Sequence, residues 1–235
     1  MNSYFNQPIV ILGGFLIDSS DYKDMKEFIK TRTNNKVVII PVSKIEWLST
    51  NWKFGWQIIL SKVKKIVKEL SKESPTRKVT LIGHSSGGMI LRLYLSDLLF
   101  NRKRYNGKEH ANCLITLGSP NQAKRATSLR NFVSSKLPGS FYSKDVHYIS
   151  VAGELDLNGP TATKTSLRLS KSSYRALNGS GTVIGDGLVP RDSALLVGSK
   201  KIVVKETAHG KIFGKYWYGS KEKVEQWFDE SSNII

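Results

Sequence analysis

The pentapeptide Gly83-His84-Ser85-Ser86-Gly87 stands between two segments of different periodicity. Residues 78–82 are β-branched and aliphatic and predict a strand, whereas the apolar pattern from residue 88 to about residue 99 predicts a helix. A glycine-flanked serine at a strand-to-helix turn is typical of a nucleophile elbow, in which a strained turn exposes the serine hydroxyl. The tight turn leaves no room for side chains two positions either side of the serine, which accounts for both glycines. Ser85 is therefore the candidate nucleophile.

Strand-like and helix-like segments alternate along the rest of the chain. The predicted strands cover residues 9–12, 37–41, 113–117, 147–152 and 201–205, and the predicted helices cover residues 21–34, 54–71 and 221–230. Short apolar strands separated by helices predict an α/β fold with a mostly parallel central sheet and helices on both faces. We interpret residues 1–235 as a single domain, interrupted by a small lid-like insertion at 121–145 and a second insertion at 157–185.

Bulk properties exclude several classes of protein. The chain contains one cysteine, Cys113, within a predicted strand, which excludes an intrachain disulfide and a cysteine-rich metal site. No apolar run reaches the roughly 18 residues that suggest a transmembrane helix. The first residues are polar and lead directly into a strand, with no signal or transit segment visible, so we expect a cytoplasmic protein.

The formal net charge of +17 favours an anionic partner. The sequence has neither zinc-finger spacing nor an arginine-rich tail, so nucleic acid is not the expected partner. The stretch 121–145 combines apolar residues at helical spacing with cations, a pattern typical of a segment that lies on an anionic membrane surface, although a helix packed on the protein's own core has the same pattern. Its apolar residues are Leu129, Phe132, Val133 and Leu137, and its cations include Lys124, Arg125, Arg130 and Lys136. The stretch 157–185 carries Lys164, Arg168, Lys171 and Arg175 and no acid. We expect both stretches to flank the mouth of the Ser85 pocket and the protein to be peripheral to a membrane.

A serine hydroxyl needs a base and a carboxylate before it can act as a nucleophile at neutral pH. His209 follows a predicted strand and so lies at the carboxyl edge of the sheet, where reactive groups collect. The acid has three candidates between Ser85 and His209. We favour Asp186, in the loop Gly185-Asp186-Gly187-Leu188-Val189-Pro190, and keep Asp156 and Glu154 as alternatives. The order serine, acid, histidine along the chain is that of α/β-hydrolases.

Two backbone amides should stabilise the oxyanion of such a reaction. One is expected from Ser86, which follows the nucleophile, and the other from the loop Gly13-Gly14-Phe15 after the first strand, with Phe15 as the donor. That loop lacks the lysine and the spacing of a phosphate-binding loop. No cofactor or metal is expected.

With these residues in place, the chain resembles an α/β-hydrolase of the lipase and esterase type. The segment Leu114-Ile115-Thr116-Leu117-Gly118-Ser119-Pro120 is similar to the strand and turn that follow the elbow in many lipases. The sequence looks most like lipase-like hydrolases of plant plastids and cyanobacteria, which are related to inositol deacylases. The segments behind this likeness are Ile45-Glu46-Trp47-Leu48, the loop around Asp186, and Trp217-Tyr218-Gly219-Ser220 through Val224-Glu225-Gln226-Trp227. The resemblance implies Ser85 as nucleophile, Asp186 as acid and His209 as base.

The expected function is a serine hydrolase that cleaves carboxylic esters, with lipid acyl esters as the expected substrates and an acyl-enzyme intermediate. An acyltransferase or a thioesterase would use the same three residues. A non-catalytic protein that binds lipid or a membrane surface is the alternative of a different class.

Overall fold

The computed structural model describes residues 3–123 and 127–232. Its strands form one six-stranded sheet of order β2-β1-β3-β4-β5-β6, and every neighbouring pair is parallel. The strands are β1 (Ile9–Leu12), β2 (Val37–Ile39), β3 (Val79–His84), β4 (Ala111–Leu117), β5 (His147–Glu154) and β6 (Lys200–Lys205). The predicted strands are confirmed, with ends that differ by at most two residues. The strand that leads into Ser85 lies in the interior of the sheet.

Helices cover both faces of the sheet, as predicted. They are α1 (Lys23–Thr33), α2 (Lys44–Ser49), α3 (Lys53–Glu73), α4 (Ser86–Leu95), α5 (Ser128–Lys136), α6 (Lys164–Asn178), α7 (Arg191–Ala194) and α8 (Lys221–Ser232). Within the described ranges, none of these helices has both the length and the hydropathy needed to cross a membrane.

Alternation along the strands divides the core into two layers. Val10 and Leu12 pack with residues of α3, α4 and α5, whereas Ile9 and Ile11 pack with residues of α1 and α8. Successive strand side chains point to opposite faces, so one short strand contributes to both layers. On α3 the six apolar residues predicted to share one face are all buried: Trp56, Ile59, Leu60, Val63, Val67 and Leu70.

The helix after the elbow is shorter than predicted. It ends at Leu95, because Ser96 takes an extended conformation and turns its amide back to the carbonyl of Leu93. Leu99, the predicted end, lies outside the helix and is 58% exposed. The apolar pattern continues past the helix because Phe100 returns to the core.

The expectation that the apolar face of 121–145 is free to meet a membrane is wrong. Leu129, Val133 and Leu137 are buried in the same core layer as α3 and α4, and Phe132 packs against that layer. Arg92 of α4 holds the segment by donating to the carbonyls of Asn121 and Leu137. Lys124 and Arg125 lie outside the described residues.

The stretch 157–185 contains a helix, α6, in which Tyr174 and Leu177 are buried, and Leu177 packs with Ala152 of β5 and with Val189 and Ala194. Its cations face solvent on the other side: Lys164, Arg168, Lys171 and Arg175.

Candidate active site

Ser85 occupies a strained turn at the carboxyl end of β3. Its dihedral angles are φ 53° and ψ −124°, outside the regions that side chains ordinarily allow. A Cβ on Gly83 would stand 2.5 Å from the Cα of Gly88, and a Cβ on Gly87 would stand 2.4 Å from the carbonyl oxygen of Gly13. Both clashes are with backbone, so these two positions accept only glycine without a shift of the main chain. This is the geometry predicted for a nucleophile elbow.

The structure brings Ser85, His209 and Asp186 into one chain of hydrogen bonds. Nε2 of His209 lies 2.9 Å from Oγ of Ser85, and Nδ1 of His209 lies 2.8 Å from Oδ2 of Asp186. His209 and Asp186 are 2% and 0% exposed, so water does not compete for these bonds. A serine that donates to Nε2 requires the proton of a neutral imidazole to be on Nδ1, where it is donated to the carboxylate.

Both carboxylate oxygens of Asp186 accept hydrogen bonds from groups of the protein. Oδ1 accepts from the amides of Leu188, at 3.0 Å, and Val189, at 2.7 Å. Oδ2 accepts from the hydroxyl of Tyr218 at 2.9 Å as well as from His209. Burial first, and then the charge of Asp186, raise the pKa of Tyr218 well above its ordinary value, so this hydroxyl remains a donor. Tyr218 belongs to the segment Trp217-Tyr218-Gly219-Ser220, which carries part of the resemblance to lipase-like hydrolases. No sequence pattern predicts its contact with Asp186.

The two alternative acids lie elsewhere. Glu154 forms ion pairs with Arg191 and Lys205, and the hydrogen bond from Lys205 is the main cause of its lowered pKa. Asp156 is exposed and accepts from the amide of Asn158 in a turn. Asp186 is thus the acid that reaches His209.

The amides predicted to hold an oxyanion are open. Phe15 and Ser86 both line the cavity that contains Ser85, and within the described part of the chain neither amide donates a hydrogen bond to protein. Ser86 is the first residue of α4, where backbone amides have no intrahelical acceptor.

A buried tyrosine holds the loop that carries Phe15. The amide of Gly14 donates to the hydroxyl of Tyr22 at 2.8 Å, and that hydroxyl lies 2.7 Å from Nδ1 of His84. The hydroxyl oxygen accepts from Gly14, and the hydroxyl forms its second hydrogen bond with Nδ1 of His84. Burial, and then the charge of His209, lower the pKa of His84 well below its ordinary value, which keeps this ring neutral. No sequence pattern predicts this connection, because Tyr22 stands at the start of a predicted helix, 62 residues before His84.

The cavity over Ser85 has a volume of about 390 Å³. Its walls are mostly apolar and come from the loop after β1, the loop of Asp186 and the loop after β6: Phe15, Leu16, Ile17, Leu188, Ile212, Phe213 and Trp217. Of the two stretches expected at its mouth, 121–145 contributes Arg130, and no described residue of 157–185 is among the lining residues. The expectation for 157–185 is wrong because α6 packs behind the Asp186 loop, where the hydroxyl of Tyr174 accepts from the amide of Gly187 at 2.7 Å.

No cluster of three or more histidine, cysteine or acidic side chains suited to a metal ion occurs in residues 3–123 and 127–232. Cys113 is buried in β4, as predicted for a packed strand thiol, and burial raises its pKa to about 12.

Solved structures with this fold include several hydrolases. A lipase of Bacillus licheniformis in its propeptide form superposes with a TM-score of 0.67 at 15% identity, covering 100% of this chain and 52% of that chain. A gene product of Listeria innocua gives a TM-score of 0.58 at 14% identity, covering 98% and 95% of the two chains. Est1E of Butyrivibrio proteoclasticus, solved with ferulic acid bound, gives 0.55 at 12% identity, covering 97% and 90%. This chain thus spans about half the length of the Bacillus lipase, and these similarities establish the α/β-hydrolase fold.

No curated protein matches the sequence. The model of the palmitoyl protein thioesterase family matches residues 8–154. The match includes the elbow and β1 through β5, and it ends before Asp186 and His209. Since it covers more than half of the chain, and the sheet, the elbow and the structural neighbours agree with it, this hydrolase-fold protein belongs to the palmitoyl protein thioesterase family.

Proposed function

We propose that the protein is a serine hydrolase that cleaves acyl esters, with Ser85 as nucleophile, His209 as general base and Asp186 as the acid that orients it. The observation that carries this proposal is the unbroken chain from Oγ of Ser85 through His209 to Oδ2 of Asp186, with contacts of 2.9 and 2.8 Å. The open amides of Phe15 and Ser86 in the same cavity supply the donors that an oxyanion needs.

In the proposed reaction, Oγ of Ser85 forms a bond to the ester carbonyl carbon while its proton passes to Nε2 of His209. The carbonyl electron pair moves to oxygen, and the amides of Phe15 and Ser86 stabilise the resulting charge. The tetrahedral intermediate collapses, and the leaving group takes the proton from Nε2. Water then attacks the acyl-enzyme by the same route, giving the carboxylic acid and free Ser85. Four donors hold the carboxylate of Asp186 in place throughout.

The apolar walls of the cavity support an apolar acyl group as the part of the substrate that binds there. The 390 Å³ volume is large enough for a small or medium acyl chain, and lipid acyl esters are the substrates that we infer. Thioesters are a second candidate, favoured by the family match over residues 8–154. Transfer of the acyl group to an acceptor other than water would use the same residues.

A non-catalytic lipid-binding protein is the alternative class. It would not require the strained φ of 53° at Ser85, nor the buried hydrogen bond between His209 and Asp186. Such strain is retained where a function depends on it. The hydrolase is therefore the function that the geometry supports best.

We further propose that the finer resemblance to the lipase-like hydrolases of plant plastids and cyanobacteria reflects the architecture around the cavity. All three segments behind that resemblance contribute to it, and the loop around Asp186 does so through Leu188. Trp47 packs its ring edge against Phe15, with centroids 6.3 Å apart, and Trp217 lines the cavity beside His209. We also propose that residues 1–235 act as one domain, since both core layers share one sheet.

Because the apolar face of α5 is buried in the core, an anionic membrane would have to meet a different exposed apolar surface of the protein. We propose the corner between α2 and α3, where four large apolar side chains face solvent: Ile45 at 80%, Leu48 at 49%, Trp52 at 60% and Phe54 at 52% exposed. The rings of Trp52 and Phe54 stack with centroids 5.9 Å apart. Exposed Lys44 and Lys53 flank them, and the net charge of +17 is complementary to anionic lipid. Through Trp47 this corner adjoins the cavity loop of Phe15.

Replacing the acid tests the catalytic assignment. Asp186→Asn should lower kcat by about 10⁴-fold, by analogy with serine proteases, because an amide in this position favours the wrong tautomer of His209. The measurement is hydrolysis of p-nitrophenyl butyrate and of butyrylthiocholine, an oxygen ester and a thioester with the same acyl group. The ratio of the two rates for the unmodified protein distinguishes an esterase from a thioesterase.

Asp156→Asn is the matched control for that substitution, because Asp156 is an exposed acid in a neighbouring loop. It should retain nearly full activity. A large loss in Asp156→Asn together with a small loss in Asp186→Asn would show that the acid has been assigned wrongly.

Removing the hydroxyl of Tyr22 tests the loop that carries Phe15. Tyr22→Phe leaves the amide of Gly14 and Nδ1 of His84 without their partner. Loss of this support should lower kcat on the order of 10-fold with little change in KM, less than the 10²–10³-fold that removal of an oxyanion donor itself costs. Tyr94→Phe is the control, because the hydroxyl of Tyr94 is buried and has no hydrogen-bond partner in the described structure. Equal effects of the two substitutions, or a change in KM alone, would contradict the role of Tyr22.

Co-sedimentation with vesicles tests the membrane surface. Binding to vesicles that contain phosphatidylserine should exceed binding to phosphatidylcholine vesicles and should weaken as salt is raised, since the Debye length falls from about 10 Å at 0.1 M to about 3 Å at 1 M. The double variant Trp52→Ser, Phe54→Ser should lose most of this binding. Phe141→Ser is the control, since Phe141 is equally exposed, at 52%, and belongs to a different segment of the chain, before β5. Equal binding of the protein to both kinds of vesicle, or equal loss in both variants, would reject the surface.

A further inference from the structure

Arg130 is a cation in the cavity, and no acid of the described residues neutralises it. The other cation that lines the cavity is Lys211, and its ammonium lies 2.8 Å from Oδ1 of Asp21. Among the described residues Arg130 forms no ion pair, and its guanidinium Nη2 has one side-chain contact, 3.4 Å from Oγ of Ser86. A weak contact with a neutral hydroxyl leaves most of the five guanidinium donors free.

The position of Arg130 is not explained by the stability of its own helix. It lies in the first turn of α5, which has no acidic residue, and a cation there interacts unfavourably with the helix dipole. The side chain is partly buried, and burial lowers its pKa, although arginine remains charged at neutral pH. Removing a guanidinium from water without a partner costs free energy. A residue kept at such a cost is a candidate for binding a ligand.

Arg130 also lies where two cavities meet. The cavity over Ser85 and a neighbouring cavity of about 170 Å³ share three lining residues, Phe15, Ser86 and Arg130. The second cavity adds aromatic and polar side chains, among them Trp47, Trp56, Thr50 and Thr127. The guanidinium thus lies beside Ser86, one residue from the nucleophile, between an apolar chamber and a more polar one.

We propose that Arg130 binds an oxyanion of the substrate, a carboxylate or a phosphate, a few bonds from the scissile carbonyl. The substrate would then be an acyl ester or thioester with an apolar part in the larger cavity and an anionic group against Arg130. A planar guanidinium matches either anion with two parallel hydrogen bonds. This inference rests on the proposed hydrolase function of Ser85.

The anchoring of α5 supports this role. Arg92 fixes the carbonyls of Asn121 and Leu137 on either side of α5, and Leu129 and Val133 are buried in the core. Arg130 is therefore presented by a packed helix and not by a free loop. A rigid support keeps the loss of conformational entropy on binding small.

Two matched substrate pairs identify the anion and its place. In the first pair, mono-p-nitrophenyl succinate replaces the terminal methyl of p-nitrophenyl butyrate with a carboxylate, so the anion is on the acyl side. In the second pair, S-butyryl-2-mercaptoethyl phosphate adds a phosphate to S-butyryl-2-mercaptoethanol, so the anion is on the leaving group and a few bonds from the thioester carbonyl. The quantity measured is the ratio of kcat/KM for the anionic member to that for the neutral member.

Arg130→Gln should lower this ratio by about 10- to 100-fold in one pair, the range expected for loss of a hydrogen bond to a charged group. Arg130→Lys should restore part of the ratio, because lysine keeps the positive charge but cannot donate two parallel hydrogen bonds as a guanidinium does. Arg168→Gln, which removes an exposed cation of α6 outside the cavity, should leave both ratios as they are in the unmodified protein.

Ratios that Arg130→Gln leaves unchanged in both pairs, while the protein hydrolyses the neutral esters, would overturn the anion site and leave the hydrolase intact. Failure of the unmodified protein to hydrolyse any of the four substrates, together with inert Ser85 in covalent labelling, would instead reject the hydrolase. An equal fall of the ratio in Arg168→Gln would show that long-range charge is responsible, and would also overturn the site.

Discussion

The sharp turn at Ser85 is the constraint on which the rest of the site depends. A non-glycine residue held at φ 53° and ψ −124° costs free energy, which the surrounding packing has to offset. The amide of Ser85 donates a hydrogen bond to the carbonyl of Leu117 in β4. Gly83 and Gly87 allow the backbones of β3, α4 and the first loop to lie so close together that a Cβ at either glycine would clash with backbone atoms. That close approach places the amide of Ser86 and the loop of Phe15 on the same side of the serine. The strain, the glycines and the open amides are therefore parts of a single arrangement.

A second group of contacts brings distant parts of the chain to this turn. Asp186 reaches His209 through its side chain and also through its carbonyl, which accepts from the amide of His209 at 2.8 Å. Tyr218 ties the same carboxylate to the amide of Gly153 at the end of β5. In the same way, the hydroxyl of Tyr22 ties the amide of Gly14 in the first loop to the ring of His84. Buried polar groups of this kind are costly unless each has a partner. Their mutual satisfaction fixes the loops with an accuracy that apolar packing alone would not give.

The sequence allowed the sheet, the elbow and the three site residues to be predicted, because each has a local signature. A strand-turn-helix pattern identifies Ser85, and the carboxyl-edge rule for parallel sheets selects His209 over His110 and His147. The loop of Asp186 was preferred over Asp156 and Glu154 on its glycines, and the structure shows that Glu154 is engaged by Arg191 and Lys205.

What the sequence could not show is how side chains of separate segments meet. The stripe of Leu129, Val133 and Leu137 fits a membrane surface and a protein core equally well, and the burial of all three side chains decides for the core. The contacts of Tyr22 and Tyr218 join residues 62 and 32 positions apart, and no local pattern records them. The sequence predicts that the stretch 121–145 flanks the pocket, but no pattern distinguishes Arg130, which lines the cavity, from the other cations of that stretch.

Covalent labelling with a fluorophosphonate tests the central claim most directly, because this probe reacts with a serine only where a base and an oxyanion site activate it. The folded protein should be labelled stoichiometrically, with the adduct mapped by peptide mass spectrometry to Ser85. Ser85→Ala and the denatured protein should remain unlabelled. A folded, unmodified protein that fails to react, or a label that persists in Ser85→Ala, would contradict the account.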